Sequence, residues 1–548
     1  FNQLGFKGVI DKPDGWFLPN NSKDTAFVIE TKSEKTDISN EKWKNELNKN
    51  CKIVLEKYAN VIGILYNGKH GLLYKNNEFQ QEINHLSYYK KYLHQFENRQ
   101  LDKQEIYSQT ARINDLLHFD FGVKNLYERM IFTACALVAE RYQANLMNLK
   151  QASFDTFMTQ ISDTLKNSFK SDRKQNNKLD ILLSMYQRIS TNNPNNQEAI
   201  GAFIDAVCSI SDKINSSTWR GEDVMGIFFN EFNRYKSKSE NGQVFTPDHI
   251  TSFMYRLLEI SYQDYVLDAT CGSGAFLVKA MGNMLDEVDS SDEKAAKEIK
   301  GNHLFGIEFD KEIFALACAN MLIHKDGKTN LEQMDTRSDE AKSWIKDKPI
   351  TKVLMNPPYE NKYGCLTIVK NVLESVQKGT LCGFILPDTK LDKASKNWRD
   401  DLLRNNRIEA IIKLPENLFF GIGVTTSIFI IKAGYSQNNS AIFGCYIEED
   451  GLETVKNKGR HDIHDVWQER EDYWVESFRT KSDKKYKTEQ WIDPRCRLSY
   501  QKPLPKFTIN DKDFMKTALE YTFYKNNENI KEWQSELVDT MLYHVELV

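Results

Sequence analysis

No stretch of the 548 residues approaches the ~18 to 20 consecutive apolar positions that a bilayer span requires. Net charge is nearly absent as well, with 73 Lys+Arg against 77 Asp+Glu and a formal −4. A wholly basic coat for nucleic acid is thereby excluded; a local DNA-facing groove is not, because net charge says little about how charge is distributed. Close cysteine pairs are missing. The nine cysteines (Cys51, Cys135, Cys208, Cys271, Cys318, Cys365, Cys382, Cys445 and Cys496) stand singly, without the spacing of a zinc knuckle or a redox dithiol. Reduced thiols in a cytoplasm are expected. Internal repeats and low-complexity segments are also lacking. Phe1 is not Met, so further residues are expected upstream, and nothing else in the chain has a secreted character. Apolar matter, by contrast, is plentiful: 40% of residues are hydrophobic and 12% aromatic. That excludes a disordered or collagen-like chain, at a length suited to about three or four domains.

Four stretches differ in texture. Residues 1–105 alternate short β-branched runs (Ala26–Glu30, Val61–Tyr66, Leu72–Tyr74) with a helical pattern over Glu41–Tyr58, predicting a small α/β domain. In residues 106–235 apolar positions recur at three- and four-residue spacing, as in Leu126, Met130, Ile131, Ala134 and Leu137, and strand signals are absent. This predicts a helical connector, broken by a loop at Thr191–Gln197. Residues 236–434 alternate helices with apolar runs at Tyr265–Ala269, His303–Ile307, Lys352–Met355, Leu381–Leu386, Ile408–Lys413 and Thr425–Ile431. That rhythm predicts a doubly wound, Rossmann-like α/β sheet. Residues 435–548 are mixed, rich in Lys, Trp and Tyr, and predict no clear fold.

The third stretch carries chemistry. Asp268-Ala-Thr-Cys-Gly272-Ser-Gly274 joins a strand to a helix, and its glycines let backbone amides approach a ligand at a helix N-terminus. The next strand ends in Glu308, where doubly wound folds hold ribose hydroxyls. To this point a nucleotide dehydrogenase fits equally well. Asn356-Pro357-Pro358-Tyr359 then follows the strand Lys352–Met355. Two prolines cannot continue a strand or helix, so they stiffen the exit at the carboxyl edge, where such sheets bind ligands. Asn356 Oδ1 and the Pro357 carbonyl are placed to accept from an exocyclic amine, and Tyr359 to stack on its ring.

With these residues in order, 242–434 resembles an amino-group DNA methyltransferase of the type I restriction-modification family. Gly242-Gln-Val-Phe-Thr246-Pro247 resembles the first cofactor motif, Asp268–Gly274 the glycine loop, Glu308 the ribose acid and Asn356–Tyr359 the catalytic motif. Asp335 is the expected partner of the cofactor's adenine. The runs Ile412-Lys-Leu-Pro-Glu416-Asn-Leu-Phe-Phe-Gly421 and Thr425–Ile431 resemble that family's end-of-domain strands. The resemblance implies base flipping, with methyl transfer from S-adenosylmethionine to adenine N6 rather than cytosine N4, because the motif begins with Asn rather than Ser.

A second constellation lies near the start. Lys12-Pro13-Asp14-Gly15-Trp16 precedes the strand Ala26-Phe-Val-Ile-Glu30-Thr-Lys32. A hairpin arm would bring Asp14 beside Glu30 and Lys32, two carboxylates for Mg2+ and an ammonium for the scissile phosphate. The pattern resembles the PD-(D/E)XK nucleases. Nuclease, connector and methyltransferase in one chain resemble the combined restriction-and-modification subunits of type IIB and type IIG systems. The resemblance implies double-stranded DNA as substrate and the cytoplasm as location. Only residues 435–548 follow the methyltransferase, so a separate specificity subunit in a hetero-oligomer is expected. The alternative is a methyltransferase whose first domain clamps DNA without cutting it. Arg479–Lys487, near Trp491, reads either as a phosphate contact or as a solvated loop. The helical pattern Trp533–Val548 (Leu537, Met541, Val545) reads either as a core helix or as a partner-docking one.

Overall fold

The computed structural model describes residues 12–19, 25–83, 86, 92, 99–169, 173–214, 223–233, 246–288, 292–324, 330–359, 364–416, 418–419, 423–455, 459–464, 466–502 and 510–543. Gly242–Phe245 of the first cofactor motif lie outside them, as do Asn417, Phe420, Gly421 and Val545. Through Tyr500 the chain packs as one compact unit, and Gln501 onward forms a second. No helix among the described residues is long and apolar enough to cross a membrane.

The first unit opens with a five-stranded sheet, β1 (Gly15–Phe17), β2 (Ala26–Thr31), β3 (Val61–Tyr66), β4 (Gly71–Lys75) and β5 (Glu78–Ile83), side by side in chain order. β2 and β3 run parallel, joined by the helix Glu41–Leu55; the other pairings are antiparallel. Continuous β-branched runs suit central strands covered on both faces. Val28 and Leu65 accordingly pack with Leu47, Cys51 and Val54 of the helix, while Phe27, Ile62 and Ile64 fill the opposite side.

Helices then follow from Arg99 to Phe232, around Phe121, Phe132, Phe157, Phe203 and Tyr186. The first of them, Arg99–Asp115, crosses the boundary drawn at residue 105. Ile313, Leu316, Ala319 and Ile323 of the helix Lys311–Ile323 join this core, so the connector packs directly on the α/β region.

That region forms around a second sheet. Its strands are β6 (Val266–Asp268), β7 (Leu304–Glu308), β8 (Asn330–Gln333), β9 (Lys352–Met355), β10 (Leu381–Pro387), β11 (Asn406–Lys413), β12 (Thr426–Ala433) and β13 (Ile442–Tyr446). A hairpin, β14 (Glu453–Val455) and β15 (Gly459–His461), and the edge strand β16 (Gln490–Ile492) complete the set. The nine-stranded order is β16-β13-β11-β12-β10-β9-β6-β7-β8. From β8 to β10 neighbours are parallel, and the order reverses between β6 and β9. The carboxyl edge at such a reversal is the ligand crevice of a doubly wound sheet. The boundary drawn at Gly434 falls inside this sheet. β13 pairs in parallel with β11 and β16 closes the edge, so the chain through Ile492 builds it.

A buried ion network ties the far edge to the start of the helix Asp248–Leu257. Asp450 is fully buried; it receives Arg460 through Nε at 2.8 Å and through Nη2, and His249 Nε2 lies 3.2 Å away. Burial works to raise the Asp450 carboxyl, but His249 and Arg460 hold it well below the ordinary range. Breaking a buried pair leaves an uncompensated charge. Asp450→Asn is therefore expected to cost about 3 kcal/mol. Because a carboxyl held below its ordinary value stays ionised above about pH 4, the loss should be present at both pH 5 and pH 7. Chemical denaturation at both values checks it.

The second unit is a pair of helices, Asp511–Lys525 and Ile530–Tyr543, the first started by an Asn510–Asp513 capping box. Phe523 and Trp533 pack at 5.3 Å between ring centres. Trp533 and Leu537 remain 43% and 44% exposed.

Candidate functional site

After β6 the chain turns through Ala269–Gly274 into the helix Ala275–Glu287. Gly272 and Gly274 have φ of +55° and +89°, a region strained for any side chain. A Cβ at Gly272 would meet nothing within 4 Å. Its outer face is open to close approach by a ligand. Asp268 is buried beneath the loop and accepts the Thr270 amide at 3.0 Å; burial raises its carboxyl well above the ordinary range. Glu308, at the end of β7, returns to the same loop. Its Oε2 accepts the Gly272 amide at 3.0 Å and its Oε1 the Asp310 amide at 2.8 Å. Burial raises this carboxyl and the two amides oppose the rise. Glu308 thus sets the loop's conformation from the neighbouring strand.

Asp335 follows β8. Arg337 grips its carboxylate, with Nε at 2.8 and 3.0 Å and Nη2 at 2.7 Å, and lowers its pKa. The same guanidinium lies 5.7 Å from the exposed Phe309 ring. Sequence reasoning singled out neither Arg337 nor Phe309; the two-residue separation of Asp335 and Arg337 was the signal available.

Across the reversal, β9 ends at Asn356. Its amide is held at both ends: Nδ2 donates to Thr246 Oγ1 at 3.0 Å, and Oδ1 accepts from the Tyr359 hydroxyl at 2.7 Å. These bonds fix the amide orientation. Thr246 therefore touches the Asn356–Tyr359 motif itself, a contact the cofactor-motif reading did not include. Pro247 then caps the helix Asp248–Leu257. Pro357 and Pro358 hold an extended exit with no regular structure. Lys390 Nζ donates to the Tyr359 carbonyl at 2.6 Å, and the edge of Phe419 meets the Tyr359 ring at 6.2 Å between centres. Lys390 and Phe419 come from remote segments, so spacing alone does not reveal them.

The N-terminal constellation also assembles. Gly15 pairs with Ile29, which carries Asp14 to the end of β2. Asp14 Oδ2 accepts from the Thr31 amide at 2.7 Å and hydroxyl at 2.9 Å, and these bonds lower its pKa against burial. Glu30 is 2% exposed; burial raises its carboxyl, opposed by Asn50, whose Nδ2 donates at 2.7 Å. Lys32 Nζ lies 3.7 Å from Glu30 Oε2 and 3.0 Å from Glu46 Oε2, over the Trp43 ring. Trp43, Glu46 and Asn50 share one face of the helix Glu41–Leu55, a spacing of three and four that marks them in retrospect. Among the described residues, no group of three or more His, Cys, Asp or Glu side chains is arranged to hold a metal ion.

The basic run at 479–487 is used within the chain. Arg479 pairs with Glu259 and Glu476, Lys485 with Glu469, and Lys481 lies over the Phe478 ring.

The chain is similar in sequence and fold to known proteins. Residues 221–378 and 366–493 match the family described as N-6 DNA Methylase. Over 263 residues the chain is 36% identical to the type II restriction enzyme and methyltransferase RM.BcgI of Heyndrickxia coagulans, covering 46% of this chain and 40% of that protein. It is 23% identical over 292 residues to the type I restriction enzyme StySJI methylase subunit of Salmonella typhimurium, covering 47% and 53%. The chain thus spans about half the length, or less, of these relatives. A chain from a structure described as underlying complex assembly and conformational transition of the type I R-M system superposes with a TM-score of 0.52 at 16% identity. That match covers 82% of this chain and all of the other, and it bears on the fold alone.

Proposed function

We propose that this chain methylates N6 of an adenine rotated out of duplex DNA, a reading supported by the match of residues 221–378 and 366–493 to the N-6 DNA Methylase family and by the similarity to restriction-modification methyltransferases. The observation that carries the reading is the doubly held Asn356 amide at the reversal of strand order, one strand from the glycine loop. The open face of Gly272 and the acids Glu308 and Asp335 suit a nucleoside-bearing cofactor whose backbone contacts are close. Bound there, S-adenosylmethionine supplies an electrophilic methyl group. Glu308 keeps the loop in register, and Asp335 and Arg337 border the expected adenine position.

An aromatic amine is a poor nucleophile because its lone pair is delocalised into the ring. Asn356 Oδ1 and the Pro357 carbonyl, accepting from the amine, favour a more tetrahedral nitrogen whose lone pair can attack. Tyr359 offers its ring to the flipped base, and stacking helps offset the few kcal/mol of unstacking. Its hydroxyl aligns Oδ1, while Lys390 holds its carbonyl. Tyr359→Phe keeps the ring and loses one hydrogen bond worth about 1 kcal/mol. The expected result is a methyl-transfer rate lower by roughly five- to tenfold, with Tyr359→Ala much lower; single-turnover kinetics compare the two.

Nucleoside mass spectrometry tests the activity. The chain is expressed in a methylation-free host, alone and with its genomic neighbour. N6-methyladenine supports the reading and N4-methylcytosine overturns the adenine assignment. Methyladenine only with the neighbour supports a separate specificity subunit in a hetero-oligomer. The reaction belongs where the DNA is, in the cytoplasm.

The convergence of Asp14, Glu30 and Lys32 favours a second activity, Mg2+-dependent cleavage of unmodified DNA. Mg2+ commonly takes one or two carboxylates from a protein and completes its shell with phosphate and water. Asp14 and Glu30 would hold it, and Lys32 would face the phosphate. A domain that only clamps DNA is the other outcome.

A further inference from the structure

Behind the glycine loop, polar groups from three separate stretches meet out of solvent. Asn320, in the helix Lys311–Ile323, is fully buried and uses one amide nitrogen twice. Nδ2 donates to the Ser273 carbonyl at 2.9 Å and to Asp223 Oδ1 at 3.0 Å. Ser273 sits between the two left-handed glycines, so this carbonyl is part of the loop that faces the cofactor. Asp223 caps the last connector helix, Val224–Phe232, and is 8% exposed. Burial pushes its carboxyl up to about 6, against the lowering influence of the Gly226 amide and Asn320. Beside the bridge, Lys279 pairs with Asp248 at 2.9 Å, two residues after Thr246.

Burying a carboxylate costs several kcal/mol, and apolar replacements of buried polar bridges are often neutral or stabilising. Stability therefore does not account for this arrangement. Position does. One nitrogen can serve both acceptors only when the loop carbonyl and the connector carboxylate stand at a set separation. Neither Asp223 nor Asn320 belongs to the sequence motifs of the loop, and their chain separation is 97 residues.

We infer that Asn320, braced by Asp223, is a positioning residue for the cofactor loop. It fixes the Ser273 carbonyl, and with it the left-handed turns at Gly272 and Gly274, and so sets the affinity for S-adenosylmethionine without touching the reacting atoms. The inference rests on reading the loop as the S-adenosylmethionine site.

The test uses the full chain, with S-adenosylmethionine affinity from titration calorimetry and methyl transfer to unmethylated genomic DNA. Asn320→Leu keeps the branched heavy-atom skeleton and removes both bonds. Its cofactor Kd and KM should rise at least tenfold, with kcat at saturating cofactor little changed; the melting temperature falls, because the buried Ser273 carbonyl and Asp223 carboxyl lose this donor. Asp223→Ala should lose affinity severalfold, and Asp223→Asn, whose amide oxygen still accepts from Asn320, should recover most of it. Folded Asn320→Leu that binds within twofold of wild type overturns the inference, as does a fall in kcat at unchanged affinity. Should Asn320→Leu not fold, equal affinities for Asp223→Ala and Asp223→Asn overturn it. A wild-type chain that binds no S-adenosylmethionine removes the cofactor reading itself, and the inference with it.

Discussion

Asn356→Ala is expected to lower methyl transfer by about a thousandfold or more while leaving the cofactor's affinity within about threefold. Removal of one pre-aligned polar group at a reacting centre typically costs ~10²–10³ in rate, and here the loss is compounded. The acceptor Oδ1 disappears, and the two groups that aim it, the Thr246 hydroxyl and the Tyr359 hydroxyl, lose their partner. Tyr359 is then free to leave the orientation in which its ring meets the base. The glycine loop is anchored elsewhere, by Glu308 and the Asp268 carboxyl, so cofactor binding should persist. Asn356→Asp separates the roles. It retains an oxygen for the amine, and the Thr246 hydroxyl can turn to donate to it, so activity should lie between wild type and Asn356→Ala. Label transfer under single-turnover conditions gives the rates, and calorimetry the cofactor affinity. Methylation by Asn356→Ala within tenfold of wild type would remove Asn356 from the reacting centre and return the motif to the status of a rigid loop.

What the sequence made legible was local. The strand runs of the second sheet were found nearly to the residue because each is a buried apolar block, as in Lys352–Met355. β8 escaped notice because Asn-Leu-Glu-Gln is an edge strand with a single buried side chain. β13 and β16 escaped because a short strand is recognisable only beside its partner, and β11 is remote in sequence. The site follows the same rule. Asp268, Gly272, Gly274, Glu308 and Asn356 sit at strand ends, where motif order points to them. The groups that aim them do not. Thr246 reaches Asn356 across 110 residues, Lys390 reaches the Tyr359 carbonyl from beyond β10, and Glu46 and Asn50 meet the first sheet from a helix face. A pattern of types along a chain specifies elements and their ends. It does not specify which polar side chains the packing brings together.

That same packing makes the second large prediction sharp. Glu30→Gln and Lys32→Ala are each expected to reduce Mg2+-dependent DNA cleavage by more than about a thousandfold, with methyl transfer unchanged within about twofold. Glu30→Ala would leave Asn50 Nδ2 buried and unpaired, a loss that reduces stability by about 1–3 kcal/mol and confuses the result. Glu30→Gln keeps an oxygen for Asn50 and removes only the charge that a divalent cation needs. Lys32 is prepared by its surroundings: Glu46 and the Trp43 ring hold it beside Glu30, so its ammonium is ordered before any phosphate arrives. The assay follows supercoiled plasmid carrying unmodified sites, with and without Mg2+, for the chain alone and with its neighbour subunit. Retained cleavage in Glu30→Gln would move the nuclease elsewhere. If no wild-type assembly cleaves, Lys32→Ala should instead weaken DNA binding and reduce its salt dependence, because a lysine that only clamps the backbone acts through released counterions, and the first domain is then a grip on DNA rather than a blade.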